Sequence, residues 1–384
     1  MIKRDLEQKL IDLASKFKAV ALIGARQTGK TTLVKSVFKK KEYVSLENPS
    51  LRAFAIEDPN GFLSSYPQGA IFDEIQRVPH LFSYLQEILD SSSNKGQFIL
   101  TGSNNFLLHQ NISQSLAGRV GILNLMPFSI NELNKVNLLI GSDNTLMLNG
   151  FYPPIYDQHI PPKDWCPNYI QTYIEKDVRQ IKNVTDLIVF ERFIKLLAGR
   201  NGQELNMSSF ANEVGVDMKT VQSWIGILES SSIIYLLRAY HKNYNKTIVK
   251  RPKLYFIDTA LVCFLLGIKS EEHLQSHPLR GHIFESLVVT ELVKKRVNNG
   301  EPINLFYWRD KTGHEIDLIV EEEQNIIPIE IKSGMTISSD YFKNLRYWNK
   351  LSNAKYSIVL YGGNQNQHRS DGINVLNWKS YFIT

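Results

Sequence analysis

Cysteine is nearly absent from this chain. The two present in 384 residues, Cys166 and Cys263, have no metal-ligand spacing and no catalytic histidine beside them. That argues against a cysteine-based metal site and predicts ordinary thiols in a reducing, cytoplasmic setting. Long apolar runs are missing too: nowhere do 18 uncharged apolar residues follow one another, so no membrane span is expected. Met1 to Gln8 carries charge with no apolar segment after it, which is not the pattern of a secretory signal. No internal repeat or low-complexity tract is visible, and Gly362 to Gly372 reads as a polar loop. The excess of one charge is small, a formal +6 with pI near 9.0. It permits a nucleic acid or another anionic partner without requiring one.

What is present starts at Gly24-Ala25-Arg26-Gln27-Thr28-Gly29-Lys30-Thr31-Thr32, between the apolar run Ala19 to Ile23 and a helical pattern from Thr31 to Lys39. G-x-x-x-x-G-K-[ST] in the order strand, loop, helix predicts a phosphate-binding loop. Glycines let backbone N–H groups turn inward around phosphates, and the helix N-terminus adds partial positive charge. Lys30 is then suited to the β- and γ-phosphates of ATP, and the Thr31 hydroxyl to Mg²⁺. The plain alternative is a glycine-rich turn with a chance lysine.

Ala70-Ile71-Phe72-Asp73-Glu74 is an apolar strand delivering two carboxylates at its C-terminal end, where open α/β sheets bind ligands. Asp73 is suited to hold Mg²⁺ and Glu74 to orient or deprotonate the attacking water. Gln97 to Ser103 is a further buried strand, with Ser103 or Asn104 close to the γ-phosphate. Spacing does not choose between them. Arg119, in Ser115-Leu116-Ala117-Gly118-Arg119, is always charged and suited to a phosphate or carboxylate contact.

Gly24 to Thr31, Phe72 to Pro79, Leu100 to Ser103 and Ser115 to Arg119 together resemble prokaryotic ATPases of the AAA+ class. The resemblance is to the group whose C-terminal half is a domain of unknown function. It extends through Tyr173 to Arg179, Arg251 to Thr259 and Tyr307 to Asp310. It implies an ATP-binding αβα core, a ring or other homo-oligomeric assembly, and Arg119 as a contact to a neighbour's nucleotide. Arg77 and Arg179 are weaker candidates for that role.

Pro153, Pro154, Pro161, Pro162 and Pro167 mark a boundary after the first 150 residues. Beyond it, Ser208 to Val214, Gly215 and Met218 to Glu229 have the grammar of a helix-turn-helix, winged by Ile233 to Leu237 and a strand near Leu254. Exposed Lys219, Gln222 and Ser223 are suited to DNA, while a lid or protein-contact role is equally open. Lys242, Lys246, Lys250, Arg251 and Lys253, interleaved with Tyr240, Tyr244 and Tyr255, resemble a nucleic-acid surface. Exposed lysines beside a hairpin are the ordinary explanation.

A second constellation begins after Gly281. Leu305 to Arg309, Glu315 to Val320 and Ile326 to Lys332 read as strands, and alternation puts Glu330 and Lys332 on one face. With Asp317 beside them, two carboxylates and an ammonium converge. Asp317 and Glu330 are suited to Mg²⁺ or Mn²⁺, Lys332 to position or activate water, and Glu285 to add a metal contact. The pattern resembles the restriction-endonuclease-like fold with its D…(D/E)-x-K signature, although Ile316 stands where proline often precedes the aspartate. A Glu-x-Lys pair on a solvated sheet face is the alternative.

The expected architecture is therefore α/β in three parts. Residues 1–150 form a P-loop AAA+ ATPase core, 151–265 a helical lid and winged helix, and 266–384 a restriction-endonuclease-like domain. The expected function is ATP hydrolysis coupled to a DNA-binding C-terminal domain. DNA cleavage, and a non-cleaving switch that binds DNA or protein, both stay open. A metabolic kinase is set aside, because no acceptor pocket can be named downstream.

Overall fold

The computed structural model describes residues 2–103, 112, 116–173, 187–240, 250–322, 325–352 and 354–383. Asn104, Tyr244, Lys242, Lys246 and Arg179, named above, lie outside these. Contacts divide the chain into two compact units. One holds Met1–Phe128 with two short returning segments, 230–232 and 296–301; the other holds the remainder. The boundary expected at 265/266 falls inside the second unit.

The first unit is built on β1 (Ala19–Ile23), whose five residues are all buried because helices cover both faces of its sheet. The other strands are β2 (Glu42–Ser45), β3 (Ala70–Asp73), β4 (Phe98–Gly102) and β5 (Val120–Asn124). They lie in the order β2-β3-β4-β1-β5, every pairing parallel. Parallel neighbours need long crossovers. α2 (Lys30–Val37) leads from β1 toward β2, and α5 (Leu81–Ser91) from β3 to β4. α1 (Glu7–Lys16) precedes β1 and buries Leu6 and Leu10 against Val20 and Leu22. Ala19, Ala21 and Ile23 alternate to the opposite core with Phe72 and Phe98. The placement of β4 matters most: it separates β1 from β3, so the end of β4 emerges between the glycine-rich loop and Asp73.

In the second unit, α11 (Met207–Val214) and α12 (Met218–Ser230) are joined across Gly215, whose φ of 82° is left-handed. The strands after them do not stand alone. β7 (Ile234–Ala239) pairs with β8 (Lys253–Phe256) on one side and, in parallel, with β9 (Leu305–Arg309) on the other. With β6 (Gln203–Glu204), β13 (Gln367–His368) and β14 (Ile373–Asn377), the result is a nine-stranded sheet, β13-β14-β12-β11-β10-β9-β7-β8-β6. It joins the middle segment to β10 (Glu315–Glu322), β11 (Asn325–Lys332) and β12 (Ser357–Tyr361). The strands expected to form a free wing therefore contribute to the large sheet. Among the described residues, no helix is long and apolar enough to cross a membrane.

Candidate functional site

The loop from Gly24 to Thr32 depends on backbone conformations that most side chains avoid. Gly24 has φ 147°, Gln27 61° and Gly29 89°. A Cβ at Gly24 would run into the Leu125 carbonyl. Gly24→Ala is expected to lower stability by about 1–3 kcal/mol and distort the loop, read by chemical denaturation. Thr28 is fully buried and donates to the Ala25 carbonyl at 3.0 Å. Arg26 is half-buried, while Gln27 and Thr32 are exposed. Lys30, the first residue of α2, folds back so that Nζ donates to the Gly24 and Ala25 carbonyls at 2.9 and 2.7 Å. Its ammonium thus lies inside the loop.

Asp73 ends β3 beside this loop and is 7% exposed. Three hydroxyls donate to its carboxylate: Thr31 to Oδ2 at 2.9 Å, Tyr43 to Oδ2 at 2.6 Å, and Thr101 to Oδ1. Glu74 follows in a left-handed conformation, φ 57° and ψ 41°. Its Oε2 accepts from Gln76 Nε2 at 2.6 Å and from Ser103 Oγ at 3.1 Å. Thr31, Asp73, Glu74 and Ser103 are thus brought together at the carboxyl ends of β1, β3 and β4.

Arg119 sits elsewhere. It directly precedes β5, whose first residue pairs with Ala19 at the start of β1. A five-residue strand separates it from the loop of the same chain, about 16 Å. Its guanidinium grips Asp90 through Nε at 2.5 Å and Nη2 at 3.0 Å. Arg77 bonds Glu47 at 3.1 Å.

Several residues at this site went unrecognised in the sequence. Arg4 is buried and donates to the Thr28 carbonyl at 2.7 Å and to the Met126 carbonyl at 2.6 Å, bracing the loop from behind. Tyr43, Gln76 and Thr101 lie on flanking strands or turns. Sequence distance from the motif hid Arg4 and Tyr43, while Gln76 and Thr101 stood inside the stretches that carry the resemblance without being given a role.

The second unit carries a charged face across its sheet. Asp317 lies opposite Glu330, since Leu318 pairs with Ile329, and a bulge in the β9–β10 pairing falls between Ile316 and Ile319. Bulges re-aim side chains. Lys332 Nζ lies 2.6 Å from Glu330 Oε1 and 3.5 Å from Asp317 Oδ2, and the Ile331 N–H donates to Asp317 Oδ2 at 2.8 Å. The three sequence-selected residues therefore meet. Burial, then the Asp317 charge, pushes the Glu330 carboxyl up to about 8. Burial alone would lower Lys332, but Asp317 and Glu330 carry it above the ordinary lysine range. Lys332 is therefore an ammonium at neutral pH, suited to positioning water and not to removing its proton.

Glu285, expected to join Asp317 and Glu330 at a metal, is held by other partners. Lys253 Nζ lies 3.0 Å from its Oε1, the Tyr255 hydroxyl donates to the same oxygen at 2.6 Å, and His282 stands 3.8 Å from Oε2. Burial opposes its charge, but Lys253, His282 and Tyr255 outweigh burial and hold its carboxyl down to about 2. Among the described residues, no group of three or more His, Cys, Asp or Glu stands ready to hold a metal ion. Lys253 also reaches Glu315 at 2.5 Å, and Arg309 bridges Glu315 at 3.5 Å and Glu204 at 2.9 Å. Lys253 and Tyr255, read from the sequence as part of an exposed basic stretch, are buried here at 4% and 0% exposure. Alternation on β8 turns both onto the charged face. Both cysteines are buried, and burial pushes the Cys263 thiol up to about 12.

The parallel sheet and the loop at the end of β1 together form a P-loop domain whose geometry suits nucleotide phosphates, and its similarity is to ATPase domains of the AAA type. Residues 16–134 match the family described as AAA domain. Residues 143–272 and 280–381 match two families described as domains of unknown function, DUF8612 and DUF4143. An uncharacterized protein of Mycobacterium tuberculosis is 29% identical over 340 residues, covering 88% of this chain and 75% of that protein. Another, from Methanocaldococcus jannaschii, is 25% identical over 365 residues, covering 86% and 77%. A Walker-type ATPase of Pyrococcus abyssi overlaps 69% of this chain and 96% of its own at 13% identity, with a TM-score of 0.44.

Proposed function

We propose that this chain hydrolyses ATP at the site formed by Gly24 to Thr32, Asp73, Glu74 and Ser103, and uses nucleotide state to control a phosphodiester-directed C-terminal site. The observation that carries the first half is the convergence of Thr31 and Asp73 at 2.9 Å beside Lys30. The pair fits Mg²⁺: a threonine hydroxyl that donates to a carboxylate keeps its lone pairs for a cation. Mg²⁺ supplies charge neutralisation of the phosphates when bound. Lys30 leaves the loop carbonyls for the β- and γ-phosphates. Glu74 orients the attacking water and accepts its proton, while Ser103 holds the Glu74 carboxylate. Arg119 lies too far from its own loop for that chemistry, so its role is a contact to the nucleotide of a second copy in a homo-oligomer.

One observation favours the second half. Among the described residues, Glu330 Oε2 is buried with no hydrogen-bond partner, on a face where Glu204, Glu285, Glu315, Asp317 and Glu330 outnumber Lys253, Arg309 and Lys332. A buried carboxyl oxygen left unpaired is costly, and a divalent cation held by Asp317 and Glu330 would displace the Glu330 proton and pair that oxygen. Lys332 then positions water against a DNA phosphodiester, and exposed Lys219 and Gln222 on α12 supply backbone contacts. Plasmid nicking by the full chain with Mg²⁺ or Mn²⁺ tests this reading. Activity is expected in the wild type, and losses of at least about 100-fold in Asp317→Ala and Lys332→Ala. No nicking with any metal or nucleotide favours the non-cleaving switch, in which the same face binds DNA or protein.

A further inference from the structure

Asp73 is held from three directions, and two of its partners, Tyr43 on β2 and Thr101 on β4, lie outside the phosphate loop. We propose that Tyr43 is a positioning residue of the ATP site, whose hydroxyl fixes the Asp73 carboxylate so that Thr31 presents its oxygen to Mg²⁺. The inference rests on the ATPase reading and names a new part of that site.

The register explains why residue 43 must be long to do this. In the parallel β2–β3 pair, Ser45 lies opposite Asp73 and Tyr43 opposite Ile71. Residues two apart on a strand share a face, so Tyr43 points to the same side as Ser45 and Asp73, but starts one two-residue step lower. The aromatic ring carries its hydroxyl up that step to Asp73 Oδ2, at 2.6 Å. A serine or threonine at 43 would fall short. Lys35 of α2 lies over the ring, its ammonium 3.4 Å from the ring centroid, and makes no contact with Asp73 itself among the hydrogen bonds and ion pairs of that carboxylate.

The acceptor count gives this contact its consequence. An ionised carboxylate offers about four lone-pair directions, two on each oxygen. Thr31 and Tyr43 fill Oδ2, while Thr101 takes one direction on Oδ1. Tyr43 thereby blocks rotation of the carboxylate and locks the Thr31 hydroxyl as a donor to it, with the Thr31 lone pairs left for the cation.

The test compares the full-length wild type with Tyr43→Phe and Lys35→Met. Mg²⁺-dependent ATP turnover and nucleotide binding with and without Mg²⁺ are measured, using a fluorescent ribose-labelled ATP. Tyr43→Phe keeps the ring and removes only the donor. It is expected to raise the Mg²⁺ concentration for half-maximal turnover by about 10-fold, in line with the loss of one charge-assisted hydrogen bond. Mg²⁺-free nucleotide affinity is expected to stay within about two-fold, which a merely destabilised loop would not allow. Lys35→Met, which spares the hydroxyl, is expected to stay within about three-fold of wild type in Mg²⁺ dependence. Tyr43→Phe with unchanged Mg²⁺ dependence overturns the inference. So does an equal loss of nucleotide affinity with and without Mg²⁺, or a Lys35→Met effect as large as that of Tyr43→Phe. A wild type with no Mg²⁺-dependent turnover overturns the ATPase reading itself and the inference with it.

Discussion

Lys30→Ala is expected to weaken ATP binding by at least about 100-fold, the cost of removing one partner from a desolvated charge pair. The geometry makes the lysine hard to replace. Its side chain is 7% exposed, and Nζ already lies within the loop, on the Gly24 and Ala25 carbonyls. A phosphate entering there takes over an ammonium that is desolvated and confined, so little ordering remains to oppose binding. Titration with a fluorescent ATP analogue measures the loss, and Lys30→Met serves as a control that keeps the buried stem. Affinity within three-fold of wild type in both variants would remove the phosphate-loop assignment.

Glu74→Gln is expected to act on the chemical step alone. ATP affinity should stay within about three-fold, while kcat falls by about 10²–10⁴, the range for loss of a positioned general base. An amide has nearly the shape of the carboxylate, and its oxygen can still accept from Ser103 and Gln76, which now bond Oε2 at 3.1 and 2.6 Å. What disappears is the ability to take a proton from water. The left-handed backbone at Glu74, φ 57°, fixes where that carboxylate points. A variant that binds and does not turn over would accumulate the ATP-bound state, visible as nucleotide retained on the protein through gel filtration. Turnover near the wild-type rate would assign proton removal to another group.

The two halves of the molecule differ in how much of each could be foreseen. Lys30, Thr31, Asp73 and Glu74 were legible because each lies within a few residues of its own strand end, and strand ends are local features. Asp317, Glu330 and Lys332 were legible for a similar reason: alternation sets Glu330 and Lys332 on one face, and Asp317 lies in the neighbouring strand of the same hairpin. Lys253 was misjudged. In sequence it belongs to a run of lysines and tyrosines that looks solvated. In the fold, the parallel pairing of β7 with β9 draws β8 into the large sheet and turns Lys253 toward Glu285 and Glu315. That pairing joins residues about 70 positions apart, Arg238 to Phe306, and no local pattern encodes it.

The sequence by itself determined the phosphate loop, the acidic strand end after it and the Glu-x-Lys strand, because each rests on short-range spacing and on the glycine conformations the loop requires. Tertiary structure decided the rest. Placing β4 between β1 and β3 brings Ser103 to Glu74 and Thr101 to Asp73, and the edge strand β2 brings Tyr43 to Asp73. The β5 register sets Arg119 at the far end of the sheet from its own loop. Strand order and register come from burying apolar faces over long sequence separations, so they appear only when the whole sheet is assembled.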